Sequence, residues 1–191
     1  MSRVRKPRTP RATLHIAAGR WKRKSLESPP DARPTGGRAR EALFDILQKR
    51  VPGARVLDLY AGSGALGLEA VSRGAERAVL VEIDAGALAR NVQRLEPGDG
   101  EVEVLKLEAG QALTLLSSRG ERFEIVFADP PYAARVAPGI SRGIAALLAA
   151  GGSFVLQTDA GDRQPPAPEG LVLRRRRAYG RNVFWFFAVE R

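Results

Sequence analysis

From residue 38 onward, short apolar runs alternate with stretches of helical spacing, and this alternation constrains the fold more than any other feature. The apolar runs are Val56–Leu59, Ala78–Ile83, Val102–Leu107, Phe123–Ala128 and Phe154–Thr158. Between them lie helical stretches at 65–73, 85–95, 110–118 and 136–150, and a further one at 38–50 precedes them. Strands that alternate with helices predict a doubly wound parallel sheet. Two more strands, Leu171–Arg175 and Val183–Val189, are separated only by a turn at Gly180. They must pair antiparallel, because a parallel pair needs a crossover. The prediction is an α/β, seven-stranded, Rossmann-like sheet with a C-terminal antiparallel hairpin. Ahead of it, residues 13–26 read as a small basic β-hairpin turning near Gly19, and residues 27–37 as a Pro/Gly-rich loop.

Charge is distributed unevenly. Residues 1–40 hold 12 Lys/Arg against two acids, Glu27 and Asp31, which accounts for the whole net charge of +10. The rest of the chain balances. A neutral domain thus carries a basic arm, the electrostatic footprint of a polyanion partner. The arm lacks an apolar helical face, which argues against an anionic membrane surface. Residues 1–12 are Pro/Arg-rich without periodicity and are expected to be disordered. The absence of cysteine excludes disulfides and Cys-ligated metals, and the single histidine, His15, excludes a multi-His site. With no span-length apolar run and no secretory signal, a cytoplasmic protein is expected, with no membrane and no metal.

Two motifs carry the chemistry. Gly62-x-Gly64-x-x-Gly67 follows the first strand of the sheet and opens a helix. Glycines there let the backbone turn sharply and approach a ligand, and an acid at the end of the next strand, Glu82, can take both hydroxyls of a ribose. The motif fits an adenosine-type cofactor and does not by itself separate NAD from S-adenosylmethionine. The second motif, Asp129-Pro130-Pro131-Tyr132, follows the fourth strand. In an open α/β sheet, ligands bind beyond the strand carboxyl ends where strand order reverses. There a carboxylate beside a proline carbonyl accepts two hydrogen bonds from an exocyclic NH₂ of a base, and Tyr132 offers a stacking face.

The tetrapeptide in this position resembles the amino-methyltransferases that modify exocyclic nitrogens of nucleobases. Gly19-Arg20-Trp21, Arg33-Pro34-Thr35, Arg38-Ala39-Arg40-Glu41-Ala42-Leu43-Phe44 and Leu57-Asp58 through Gly67-Leu68-Glu69-Ala70 further resemble the RsmD family. That resemblance runs from about Leu14 to the C-terminus. It implies a class I S-adenosylmethionine-dependent methyltransferase fold and transfer of a methyl group to N2 of a guanine in 16S ribosomal RNA. The expected organisation is a disordered basic arm (1–12), an RNA-binding hairpin and loop (13–37) and a methyltransferase domain (38–191). Asp129, Pro130, Pro131 and Tyr132 are the expected catalytic residues. The expected cofactor set is Thr35, Arg38, Asp58, Tyr60, Ala61, Gly62, Ser63, Gly64, Glu82, Ile83, Glu108, Ala109 and Asp129. Within it Glu82 meets the ribose, Glu108 the adenine amine, and Thr35 and Arg38 the methionine carboxylate. Arg11, Arg20, Trp21, Lys22, Arg23 and Lys24 are the expected RNA contacts, with Trp21 either stacking on a base or anchoring the hairpin. Arg174–Arg177 are expected to send two arginines to each sheet face, as an RNA contact or a solvated edge. The implied partner is 16S RNA or the small ribosomal subunit, and the chain is expected to act as a monomer.

Other readings explain less. A dehydrogenase accounts for the glycine loop and Glu82 but not for Asp129–Tyr132 or the arm. Protein-glutamine methyltransferases carry Asn at the position of Asp129. A non-catalytic RNA-binding module leaves the cofactor site idle. The alternative that keeps the chemistry is an amino-methyltransferase acting on adenine N6 or cytosine N4 of RNA or DNA.

Overall fold

The computed structural model describes residues 14–29, 36–130 and 138–190. Thr35, Pro131, Tyr132, Arg11 and the rest of the 1–12 arm lie outside them. No helix among the described residues is long and apolar enough to cross a membrane.

Among the described residues, nine strands and five helices follow one another: β1 (Leu14–His15), β2 (Ser25–Leu26), α1 (Gly37–Leu47), β3 (Arg55–Leu59), α2 (Ala65–Ser72), β4 (Arg77–Val81), α3 (Gly86–Leu95), β5 (Val102–Leu105), α4 (Ala109–Ser118), β6 (Phe123–Ala128), α5 (Pro138–Leu147), β7 (Leu148–Asp159), β8 (Leu171–Tyr179) and β9 (Asn182–Val189). The seven-stranded sheet has the order β5-β4-β3-β6-β7-β9-β8. β3 pairs parallel with both β4 and β6, so strand order reverses between β3 and β6. β9 pairs antiparallel with β7 and with β8, as the short Gly180 turn requires.

The sheet separates two cores. On one face, Leu43, Phe44 and Leu47 of α1 pack with Leu68, Leu88, Phe127 and Phe184. On the other, Leu113 and Leu116 of α4 and Ile144 and Leu147 of α5 cover Val126, Phe154 and Trp185. The central strands are buried on both faces, which is why β3, β4 and β6 read as continuous apolar runs rather than as alternation.

The N-terminal hairpin is part of the first core and not a separate unit. Leu14, Ile16, Trp21 and Leu26 are buried in it. Gly19 sits at φ +82° directly on Ser72: a Cβ there would lie 1.7 Å from the Ser72 carbonyl oxygen. The Arg20 and Trp21 amides donate to Ser72 O and Oγ at 2.9 and 3.0 Å. Fully buried Glu69 accepts the amides of Ala17 and Ala18 at 2.7 and 3.0 Å and the Arg73 guanidinium at 2.8 Å. Buried Arg40 lies 3.5 Å from the same carboxylate and donates to the His15 carbonyl.

Two expectations need correction. The helix predicted over 136–150 stops at Leu147, and Leu148 already pairs with Phe123 of β6. Gly151-Gly152 does not cap a helix but forms an irregularity within β7. Arg50 fixes it by donating to the Gly151 carbonyl and, at 2.6 Å, to Ser153 Oγ. Alanine-rich sequence with helical spacing is thus overridden by strand pairing. The strand predicted to end at Arg175 runs to Tyr179, and a bulge between Leu173 and Arg175 breaks its alternation. After the bulge, Arg175 and Arg177 share the face of their partners Phe186 and Phe184, and Arg176 shares that of Trp185.

Candidate active site

The carboxyl ends of β3, β4 and β6 bring the two motifs together. Leu59 of β3 is in register with Val81 of β4 and with Ala128 of β6, so Tyr60, Glu82 and Asp129 emerge side by side. The glycine loop hangs between them. Tyr60 begins it at φ +62°, a left-handed conformation unusual for a tyrosine. Gly62 and Gly64 follow at φ +57° and +80°. The Ala61 amide donates to the Val81 carbonyl at 2.9 Å, and the Gly64 amide donates to Ala61 at 2.7 Å.

The three glycines do different work. A Cβ on Gly62 would meet nothing within 4 Å, so the loop faces open space there. A Cβ on Gly67 would lie 2.1 Å from Leu80 Cδ2, so this glycine lets α2 pack against the sheet. The Gly67 amide also donates to Asp58 Oδ2 at 2.9 Å. Asp58 is thereby tied to the start of α2 while almost fully buried. Burial drives its carboxyl up to about 7; the Gly67 bond opposes this, and the nearby charges of Asp129 and Glu82 reinforce it.

Glu82 accepts the Gly62 amide at 2.7 Å on one oxygen and the Asp84 amide at 3.1 Å on the other. A carboxylate has about four acceptor positions, so half of them stay open to a ribose. Beside it, Ile83 is left 58% exposed, an apolar surface next to the open cradle. Glu108 stands exposed at the N-cap of α4, where its amide donates to Gln111 Oε1 at 3.3 Å. Its charge, after burial, is the second cause raising the Tyr60 phenol. Ala109 follows it, buried. Carboxylates at the β4 and β5 ends, an apolar side chain and an open glycine loop fit an adenosine cofactor. The buried acid beneath fits one with a cationic end.

Asp129 is held from the far side. Buried Gln157, on β7, donates from Nε2 to Asp129 Oδ2 at 3.0 Å and to Asn182 Oδ1 at 3.3 Å. The N-terminus of α1 reaches this cluster, since a Cβ on Gly36 would lie 3.8 Å from Asn182 Nδ2. Arg38 lies exposed in that first helical turn. Gln157 and Asn182 escaped the sequence reading. Their signal was a polar side chain at an inward position at the end of an apolar strand beside the Asp-Pro-Pro-Tyr strand. Asn91 was missed as well. Fully buried, it accepts the Glu27 amide at 2.8 Å and donates to the carbonyls of Glu27 and Ser63 at 2.8 and 2.9 Å. It therefore clips the N-terminal extension to the glycine loop.

Of the expected RNA contacts, Lys22, Arg23 and Lys24 are exposed in the hairpin turn. Trp21 is buried and packs the hairpin onto the domain, so it offers no stacking face. Arg20 lies 4.3 Å over the Trp21 ring and forms a two-point ion pair with Glu101 at 2.9 and 2.5 Å, which neutralises it.

Comparison with known proteins agrees with this geometry. Residues 14–188 match the family described as Conserved hypothetical protein 95. A ribosomal RNA small subunit methyltransferase D of Escherichia coli is 40% identical over 124 residues, covering 62% of this chain. This chain spans only about 60% of that relative's length. The Haemophilus influenzae protein of the same name is 35% identical over 68% of this chain and 70% of its own length. A solved hypothetical protein of Thermus thermophilus superposes with a TM-score of 0.77 at 39% identity, covering 91% of this chain and 98% of its own. The sheet order is that of class I methyltransferases, and the chain belongs to the Conserved hypothetical protein 95 family, that is, the RsmD family.

Proposed function

We propose that this chain transfers a methyl group from S-adenosylmethionine to the exocyclic N2 amine of a guanine in 16S ribosomal RNA, free or within the small subunit. The observation that carries the proposal is the meeting of an open glycine loop, Glu82, buried Asp58 and the Gln157-held Asp129 where strand order reverses. The family and the names of its relatives support the substrate class.

When bound, S-adenosylmethionine supplies an electrophilic methyl group on a sulfonium sulfur. Glu82 takes the ribose hydroxyls, Ile83 and Ala109 contact the adenine faces, and Glu108 accepts the adenine amine. Tyr60, Ala61, Gly62, Ser63 and Gly64 line the cradle. Asp58 provides negative charge beneath it, and Thr35 with Arg38 meets the methionine carboxylate. The target guanine leaves its stack to reach the site, which is least costly in a loop or bulge. Its N2 is a poor nucleophile because the lone pair is delocalised into the ring. Asp129 and the Pro130 carbonyl accept the two N–H bonds and turn that lone pair out of conjugation, while Pro131 stiffens the loop and Tyr132 stacks on the base. Such positioning supplies much of a barrier reduction. No strong base is needed, because the surplus proton leaves nitrogen after transfer. Arg11, Lys22, Arg23 and Lys24 contact RNA phosphates, and the protein acts as a monomer in the cytoplasm.

The test is transfer of labelled methyl to unmodified 16S RNA, small subunits, transfer RNA and duplex DNA, each digested to nucleosides. Label in N2-methylguanosine from 16S RNA or subunits, lost in Asp129→Ala with cofactor binding retained, is the expected result. Label in methyladenine or methylcytosine overturns the base assignment. No label in any acceptor overturns the activity.

A further inference from the structure

We infer that the outer strand β8 is a second RNA-contact surface, on which Arg174, Arg175 and Arg177 bind phosphates flanking the target nucleotide. The inference rests on the RNA reading above and deepens it. β8 ends the sheet order, so no described strand pairs with its outer edge. Its residues 173–178 are all exposed, and four of them are consecutive arginines.

These arginines differ from nine of the fifteen other described arginines. Nine arginines elsewhere among the described residues lie within ion-pair distance of a carboxylate, Arg40, Arg77 and Arg119 among them. None of Arg174–Arg177 forms an ion pair with any described residue. Arg176 lies 5.2 Å over the Trp185 ring, and Arg177 donates to the Arg176 carbonyl at 2.9 Å. Edge protection does not demand four arginines, because a single charge or a bulge disarms an edge and β8 already has its bulge. Arginine's planar fork instead matches phosphate geometry.

The strip is also well placed. Tyr179 of β8 pairs with Asn182 of β9, and Asn182 shares Gln157 with Asp129. The arginines therefore begin two residues from the catalytic end of the sheet and run away from it. β8 stands three strand spacings from β6, roughly 14 Å across the sheet. That is a reach of a few nucleotides from a base at Asp129. Arg175 and Arg177 share the sheet face on which α1 and the basic hairpin lie.

The experiment compares wild type with the Arg174→Gln/Arg175→Gln/Arg177→Gln variant, which leaves Arg176 on Trp185. RNA affinity is measured against KCl concentration, together with kcat and KM for 16S RNA. Each single-strand phosphate contact contributes about 0.7 to the log–log salt slope. Three lost contacts should flatten it by about 2, with a rise of at least tenfold in KM, little change in kcat, and unchanged cofactor affinity and melting temperature. The matching Arg→Lys triple variant should keep the slope. A Gln variant with wild-type slope and KM overturns the inference while the RNA reading stands. Unchanged affinity for naked RNA with weakened affinity for assembled subunits also overturns it, moving the partner to a subunit protein. Wild type that neither binds nor methylates RNA removes the reading beneath it.

Discussion

Asp58→Asn should make the free protein more stable and a poorer cofactor binder, and the sign of both effects follows from one buried carboxyl. The folded state raises Asp58 from its ordinary 3.8 to about 7, chiefly through burial. Below pH ~4 the carboxyl is protonated whether the chain is folded or not, and it contributes nothing. Between pH 4 and 7 the unfolded chain has lost the proton while the folded one keeps it. Stability therefore falls as pH rises, by about 1.4 kcal/mol per pH unit. Above pH 7 the full penalty, about 4 kcal/mol, is in place. Asparagine has no proton to lose, and its Oδ1 can still accept the Gly67 amide that Asp58 now accepts at 2.9 Å.

The assay is urea denaturation of both proteins at intervals from pH 4 to 9. The stability difference in favour of the variant should grow by about 4 kcal/mol between pH 4 and 8, then level off. Subtracting the two curves removes every other titrating group they share. A difference flat to within 1 kcal/mol across that range would refute the argument. The same substitution removes negative charge from beneath the cradle. Affinity for S-adenosylmethionine should fall, and fall further at pH 8 than at pH 6, because wild-type Asp58 is mostly charged only above 7. A strained or destabilised group retained at a site is a common trade of stability for function.

Three further outcomes follow from the packing. Glu69→Leu should cost about 3–5 kcal/mol by urea denaturation, since it orphans the Ala17 and Ala18 amides and strips buried Arg40, whose Nε and Nη1 make no hydrogen bond, of its ion pair. Adding Arg40→Met should recover much of that loss, and a double variant as unstable as the single would contradict it. Gly67→Ala should lower stability by roughly 1–3 kcal/mol, because its methyl would meet Leu80 at 2.1 Å. Gly67→Ala with Leu80→Ala should relieve the clash in a thermal melt. Gln157→Glu should move the acid limb of the pH–kcat profile upward by a pH unit or more, because two carboxylates at 3 Å share a proton. Gln157→Met should lower kcat and leave that limb in place.

What the sequence disclosed, and what it did not, divides along a physical line. Strands β3, β4 and β6, the helices after them and the antiparallel ending were legible because period, glycine and turn length act locally. The two motifs were legible for the same reason: Gly62–Gly67 and Asp129-Pro130 declare their loops within a few residues. Neighbouring strands then brought the motifs together by register alone. The errors arose where distant partners overruled local preference, as when Phe123 and Arg50 drew residues 148–150 out of a helical pattern and into β7. The omissions share that origin. Asn91, Gln157 and Glu69 each look unremarkable among their neighbours in sequence. Each is instead the buried meeting point of segments 25 to 64 residues apart. Only the folded chain brings those partners within reach. The consequence is mechanical. The glycine loop touches the N-terminal extension through Asn91, and the extension is riveted to α2 through Glu69 and Ser72. The exposed cations Lys22, Arg23 and Lys24 thus sit on an element that one buried side chain, Asn91, ties to the glycine loop.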